Sequence, residues 1–435
     1  MSTSQTISLS PDIIKDIIDE VAGQFEYPSD SDTLKSLSLI SSEFHPHCQR
    51  HIFSNVDLRS VMAYRFDKFY CSLKRDPSIC SLVRKLWMED GASHAIEGDI
   101  SETAIELWVD VKVDLPQMLQ SLTRLEYFHI SRLGSPLRWN FFTDELKSAF
   151  LHIFRLLTMR AVYLKDFFDI PPSIIIGCTT LKHLQMEDVL FNVNHDVTLS
   201  GNGDFLQLES LKIVGLQSWF HHLGNGVDAP RIDLSGIRHF RFCVRWWSEL
   251  RTACSIIQSA YTNIEFLEWD TSLYVVPTPD QTVASIPSLS DKIHLSLAPS
   301  LRRVAMKSLF MEFFHVDMDL LTDFKNLLAG VRDSNRLEEI HLEFVSPDIG
   351  FLAVLTIGAY NPENRLVWDV LDNTLIGEKL KDLRRISINL LANSDIEFSN
   401  LSKRLDIVRK LLPLTQTKES VDLKIQVMKG PKIIR

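Results

Sequence analysis

One short apolar template recurs along this chain, and it limits the fold more than any other feature. It appears in "LTRLEYFHI", "TLKHLQM", "LQLESLKI", "GIRHFRF", "NIEFLEW", "SLRRVAM", "RLEEIHL" and "DLRRISI". In each, an apolar residue is followed three positions later by a second and two positions after that by a third. The first of the three falls at Leu125, Leu181, Leu208, Ile237, Ile264, Leu301, Leu337 and Leu383. Weaker copies are "SLVRKLWM" from Ser81 and "RAVYLKDF" from Arg160. Leu181, Leu208, Ile237 and Ile264 are spaced by 27, 29 and 27 residues, and the other intervals are longer.

The spacing has a physical reading. The last two apolar positions are two apart, so both point to one side of a short strand. The first lies on the turn that leads into the strand and packs beneath it. One such unit cannot bury its own apolar side, so units stack, their strands form a parallel sheet, and helices lie behind. Two intervening stretches show helical spacing, 144–157 with Phe150, Ile153, Phe154 and Leu157, and 318–331. The competing reading is a generic α/β domain whose strands are rich in leucine.

Composition narrows the function. Hydrophobic content of 45% and charged content of 23% are those of an ordinary folded protein. A net charge of −10 argues against nucleic acid as the main partner. The start "MSTSQTISLSPDIIK" lacks a secretory signal, and the longest apolar run, "GFLAVLTIGAY" from Gly350, is about half of the ~20 residues a membrane helix needs. The six cysteines form no CxxC pair and read as reduced, mostly buried thiols. These features together predict an intracellular soluble protein, cytoplasmic, nuclear or both, with no membrane partner.

The first 55 residues do not repeat. "LSPDIIKDIIDEVAG" starts a helix with Ser10 or Asp12 as cap and Pro11 in the first turn. Ile13, Ile14, Ile17, Ile18 and Val21 form its apolar stripe. A polar turn follows, and then "TLKSLSLISSEFHPHCQRHIF" with Leu34, Leu37, Leu39, Ile40 and Phe44 as apolar positions. Pro46 must open a new helical turn there. So much aliphatic surface on three short helices makes a poor independent core, and part of it is expected to meet a partner.

Chemistry-bearing motifs are weak throughout. His45, His47, Cys48 and His51 crowd together, but a structural zinc site needs a second ligand pair at a distance, so they read as packing or surface residues. "GNGDF" and "GNGVD" lack the third glycine or the Gly-Lys-Ser/Thr of a phosphate loop. "DMDLLTD" from Asp317 has Leu321 where a calcium loop needs its third ligand. The doublet His221–His222 lies in a Gly-rich loop with no nearby Ser or Cys in a nucleophile-elbow context. No segment reads as an active site, and no metal or cofactor is expected.

The N-terminal segment resembles an F-box, in the form common to fungal F-box proteins with leucine-rich repeats. Leu9 holds the opening leucine, Pro11 follows, Asp12 replaces the usual Glu, and Ile13, Ile14, Ile17 and Ile18 supply the helix. Leu34, Leu37, Leu39 and Ile40 match the second part, with Phe44 where a Trp usually stands. Ser10 departs from the usual Pro, and Ser42-Glu43 from a basic pair. The repeats resemble a leucine-rich-repeat solenoid over residues 80 to 428, although the Asn or Cys that normally follows the strand is mostly missing. The resemblance implies an α/β chain in three parts: F-box helices at 5–55, a junction or first repeat at 56–80, and an irregular repeat solenoid at 81–428.

That architecture resembles the substrate receptor of an SCF-type ubiquitin ligase, a non-catalytic subunit. The F-box would dock on the Skp-family adaptor and through it on cullin and a RING subunit, and the repeats would hold an unknown target. The alternative is a repeat scaffold acting outside ubiquitin transfer. Leu9, Pro11, Ile14, Ile18, Leu37, Ile40 and Phe44 are expected to form the adaptor-facing surface with the small core beneath it. For the target, alternation along each strand puts His239, Arg241 and Cys243 on the open side of the sheet. It does the same for Phe266, Glu268 and Asp270, for Arg303, Ala305 and Lys307, and for Glu339, His341 and Glu343. This predicts a mixed-charge band around one exposed aromatic, Phe266.

Overall fold

A computed structural model of the chain describes residues 10–23, 32–59, 64–91, 114–133, 136–192, 206–215, 232–243, 247–270, 290, 293–309, 316–332, 336–346, 362–392, 399, 409–410 and 412–429. Among the described residues it is an α/β protein with a parallel sheet of 13 strands. The chain divides into two compact units, residues 1–182 with 189–206, and residues 183–188 with 207–435.

The first unit opens with α1 (Pro11–Gly23), α2 (Asp32–Ile40) and α3 (Phe44–Ser54). Ser10 caps α1. Its carbonyl accepts the Ile14 N–H at 3.0 Å and its hydroxyl the Ile13 N–H at 3.4 Å, with Pro11 at the first helical position, where no N–H is needed. Pro46 is the third residue of α3 and so costs no helical hydrogen bond. The three helices close on Ile14, Ile18, Leu34 and Cys48, with Leu37, Phe44 and Ile52 packed against them.

Strand β1 (Asn55–Arg59) follows α3 without a linker, so Val56 and Leu58 belong to the first strand of the sheet. It pairs in parallel with β2 (Lys85–Gly91), and β2 with β3 (Tyr127–Leu133). β3 pairs with β5 (Ala161–Ile170), whose far end also receives the two-residue β4 (Leu137–Arg138). Helices α4 (Tyr64–Arg75), α5 (Leu115–Ser121), α6 (Asp144–Phe154) and α7 (Pro172–Ile176) fall between or after these strands. Phe128 of β3 meets Phe150 and Phe154 of α6 at 5.9 and 6.0 Å between ring centres, so the inward strand residues and the helix stripe share one core. The helix predicted over 144–157 stops at Phe154, and Leu157 is 78% exposed. The Thr143 hydroxyl caps its start by accepting the Leu146 N–H.

In the second unit the strands run in order, all parallel. They are the first part of β6 (His183–Phe191), β7 (Ser210–Val214), β8 (His239–Cys243), β9 (Phe266–Asp270), β10 (Arg303–Leu309), β11 (Glu339–Ser346), β12 (Arg385–Ala392) and β13 (Asp422–Lys429). Their helices are α8 (Trp247–Ala260), α9 (Val316–Ala329), α10 (Pro362–Ile376) and α11 (Pro413–Thr417). The acidic segment starting at Asp317 lies inside α9. Trp269 of β9 packs on Phe324 of α9 at 5.7 Å.

A backbone ladder joins neighbouring repeats ahead of their strands. The carbonyl just ahead of each strand accepts two N–H groups from the next repeat. Glu209 O takes Arg238 N and His239 N, Arg238 O takes Glu265 N and Phe266 N, and Glu265 O takes Arg302 N and Arg303 N. Arg302 O and Glu338 O continue the series with Glu338 N and Glu339 N, and with Arg384 N and Arg385 N. The same rung joins Arg84 O to Glu126 N and Tyr127 N in the first unit. Because main-chain groups make these bonds, the side chains at the rung are free to vary. They alternate in sign along Glu209, Arg238, Glu265, Arg302, Glu338 and Arg384, a pattern that penalises register slips.

Candidate functional site

The three-helix segment is the first candidate surface. Its size decides which apolar residues go inside. The sequence offers two adjacent columns of isoleucine on α1, and a core of three short helices has room for one. Ile14 and Ile18 fill it, at 2% and 0% exposure, while Ile13 and Ile17 remain 48% and 40% exposed. Ile14 and Ile18 therefore make up the small core beneath that surface. Leu37 and Phe44 are half-buried against the same core, and Pro11 is exposed. Ile40 is 69% exposed and its neighbour Leu39 85%, at the end of α2. Leu9 lies outside the described residues.

The outward set is thus Pro11, Ile13, Ile17, Leu39 and Ile40, of which Ile13, Ile17 and Leu39 were not among the residues expected to face the adaptor. The doubled stripe was the available signal. Cys48 is buried in the core, and burial pushes its thiol up. The His51 Nε2 lies 2.7 Å from Asp19 Oδ1, tying α3 to α1.

The second candidate is the open face of the second unit, where strand alternation brings the expected band together. Register places Arg241 opposite Glu268, Arg303 opposite Glu339, and Lys307 opposite Glu343. The charges then close on each other. Arg241 Nε stands 3.2 Å from Glu268, Arg303 Nε 3.6 Å from Glu339, Arg385 Nη1 3.2 Å from the same Glu339, and Lys307 Nζ 2.8 Å from Glu343. Beyond them, Asn389 Nδ2 lies 3.4 Å from His341 Nε2 and Gln426 Nε2 donates to Asn389 Oδ1 at 2.9 Å.

Two of these groups are shifted from their ordinary values. His341 stands beside the pair of Lys307 and Glu343, with its Nε2 3.9 Å from the Glu343 carboxyl. Together with Lys307 it holds Glu343 below the usual carboxylate range, against the effect of burial. Burial alone would lower Lys307. The hydrogen bond and charge of Glu343, with the fields of Asp270 and Glu268, more than offset this and raise it.

Phe266 is not the exposed aromatic the sequence predicted. It is 8% exposed, with the Arg241 and Arg303 guanidinium groups each 5.0 Å from its ring centre and the His239 ring edge-on at 6.2 Å. The long cationic side chains of the two neighbouring strands fold over it because a bare ring on a charged face would lose more by solvent contact than the cations lose by leaning inward. Cys243 and Ala305 are also buried, at 3% and 2%. These small residues leave a cavity of 380 Å³ whose walls include Lys212, Arg241, Glu268, Asp270, Lys307 and Glu343.

Sequence reasoning passed over the open face of the first unit. There Trp87, Tyr127, His129 and Tyr163 stand half-buried on neighbouring strands. The signal was present in the weaker template copies, where the aromatic residues occupy the outward positions of "SLVRKLWM", "LTRLEYFHI" and "RAVYLKDF".

The glycine-containing segments at 201–205 and 224–228, the histidine doublet at 221–222 and the apolar run from Gly350 lie outside the described residues. Among the described residues no helix is long and apolar enough to cross a membrane.

No family model matches the chain, and no curated protein matches it. Among solved structures it is similar to an internalin from Listeria monocytogenes, with a TM-score of 0.28 and 10% sequence identity, over 84% of this chain and 90% of that one. A likeness at that level carries no weight, and the repeat architecture of the chain rests on its own backbone ladder, strand register and recurring apolar template.

Proposed function

We propose that the chain is a non-catalytic receptor that brings two proteins together. The three-helix segment docks on a Skp-family adaptor, and through it on cullin and a RING subunit, while the repeats hold a target protein. The chain then contributes proximity, keeping a target lysine within reach of a charged conjugating enzyme. The observation that carries this reading is the exposure of Leu39 and Ile40, 85% and 69%, beside a core too small to cover them. Adjacent aliphatic side chains left that bare at a helix end are well suited to burial against a partner.

Co-purification of the tagged full chain tests it. The chain is expected to bring both adaptor and cullin, and the Leu39→Asp/Ile40→Asp variant to bring neither. Recovery of the adaptor without cullin would favour a repeat scaffold acting outside ubiquitin transfer. Recovery of neither by the wild-type chain would overturn the docking assignment.

A further inference from the structure

The open faces of the two units differ in kind. In the second unit Arg241 and Arg303 cover Phe266 and pair with Glu268 and Glu339, and Lys307 pairs with Glu343. In the first unit the open face is a ledge of rings beside carboxylates. Leu86 and Met88 of β2 point inward and are fully buried, so Trp87, between them, points outward. Its ring centre is 5.1 Å from that of Tyr127. His129, its register partner on β3, lies 4.1 Å from the ring of Tyr163 on β5.

Two acids share this face near Trp87 in the strand register. Asp57 is the register partner of Trp87 on β1, and Glu89 follows two residues later on the same face. Asp57 leans towards Arg65 at 4.0 Å. Glu89 is held in place from the other side: the Ser131 hydroxyl donates to its Oε2 at 3.4 Å, and His129 Nε2 lies 3.1 Å from that hydroxyl. Lys85, also on this face, is exposed at the start of the strand.

We infer that this ledge seats a basic side chain, arginine or lysine, of the target segment, with its aliphatic stem on the Trp87 and Tyr127 rings and its charged end at Glu89. The inference rests on the reading of the repeats as the target-holding part. Charge complementarity selects the occupant. The faces of indole and phenol rings attract cations, and a carboxylate fixed beside them adds to the attraction, whereas an acidic side chain would be repelled by both. The chain already uses this chemistry internally, where Phe266 carries two guanidinium groups at 5.0 Å. Trp and Tyr are also the side chains that most often anchor interfaces.

The probe is a display library of random nine-residue peptides, selected on the immobilised full chain. Recovered peptides should share an arginine or lysine at one position. Replacing that arginine by neutral citrulline in a synthetic copy should weaken binding roughly tenfold. Glu89→Gln, which changes no volume, should weaken the arginine peptide similarly and leave the citrulline peptide unaffected, and Trp87→Ala should weaken both. Selection of acidic or uncharged peptides, or of none, would overturn the inference. So would an arginine peptide indifferent to Glu89→Gln, or one lost with Arg241→Ala/Arg303→Ala but kept with Trp87→Ala. Adaptor recovery by the same variants is read separately, so failure of this inference and failure of the docking assignment give different results.

Discussion

Lys307 on β10 and Glu343 on β11 are register partners whose charged ends meet at 2.8 Å. Both side chains are under one-third exposed, so the pair lies between a surface ion pair, worth under about 1 kcal/mol, and a fully buried one, whose breakage costs about 3–5 kcal/mol. Glu343→Gln should therefore destabilise the second unit by about 1–2 kcal/mol at neutral pH.

The pH dependence of that loss follows from the two shifts. The Glu343 carboxyl is depressed in the folded chain, so its contribution is present above the ordinary glutamate pKa, near 4.3, and lost as pH falls through the folded value. Lys307 is raised, so its contribution is full below the ordinary lysine pKa, near 10.4, and lost as pH rises through the folded value. The gap between wild type and Glu343→Gln in denaturant unfolding should be constant across neutral pH and shrink by pH 3. A gap that persists unchanged at pH 3 would show that the variant acts through packing and not through charge.

Buried and exposed apolar residues of the three-helix segment give opposite expectations. Ile18 is fully buried, and Ile18→Ala should cost the three-helix core about 2–5 kcal/mol by the cavity it leaves. Leu39→Asp, at a side chain 85% exposed, should change stability by no more than about 0.5 kcal/mol yet remove adaptor recovery. Circular dichroism melts beside pull-downs separate the two. For the same reason an Ile14→Asp change tests folding and not docking, since Ile14 is interior.

Phe266 should behave as a structural residue. With two guanidinium groups on its ring and only 8% exposure, Phe266→Ala should destabilise the second unit by about 1–3 kcal/mol. The loss should be largely shared with Arg241→Ala/Arg303→Ala, because the same contacts are removed. A thermodynamic cycle over the three changes measures this. Full additivity would mean that the cations and the ring contribute independently.

The sheet was legible because its code is local and redundant. A three-position template repeated along the chain fixes strand direction, inward face and register together, and the inward residues Phe128, Ile130, Phe240, Leu267, Val304, Ile340 and Ile386 are all buried where alternation puts them. The rung ahead of each strand was not legible, because it is made by carbonyls, which every residue has. The site was half legible for a related reason. Alternation gives the face a residue points to but not what its neighbours do, so Arg241 and Arg303 were placed on the open side while their closure over Phe266 was missed. On α1 both columns satisfy the helical period, and only the small size of the core decides that Ile14 and Ile18 go in.

The seat of α11 in the second unit depends on one buried carboxylate. Asp372 of α10 is 1% exposed. Its Oδ2 accepts the Leu414 N–H and its Oδ1 the Thr415 N–H, each at 2.8 Å, and Oδ1 also accepts the Thr415 hydroxyl. These N–H groups belong to the first turn of α11, where no helical carbonyl can reach them. α11 is a five-residue helix with no side-chain cap of its own, and the chain turns from it into β13, the last strand. Asp372→Ala would leave the buried Thr415 N–H and hydroxyl, and the part-buried Leu414 N–H, without this acceptor, at a cost of about 2–3 kcal/mol. Asp372→Asn keeps one acceptor oxygen and should cost about half as much. Because the loss is local, it should appear first in the amides of β13, whose hydrogen exchange is expected to speed up while that of β8 and β9 stays at the wild-type rate. Unchanged exchange in β13 of Asp372→Ala would show that pairing with β12 alone holds the strand in place.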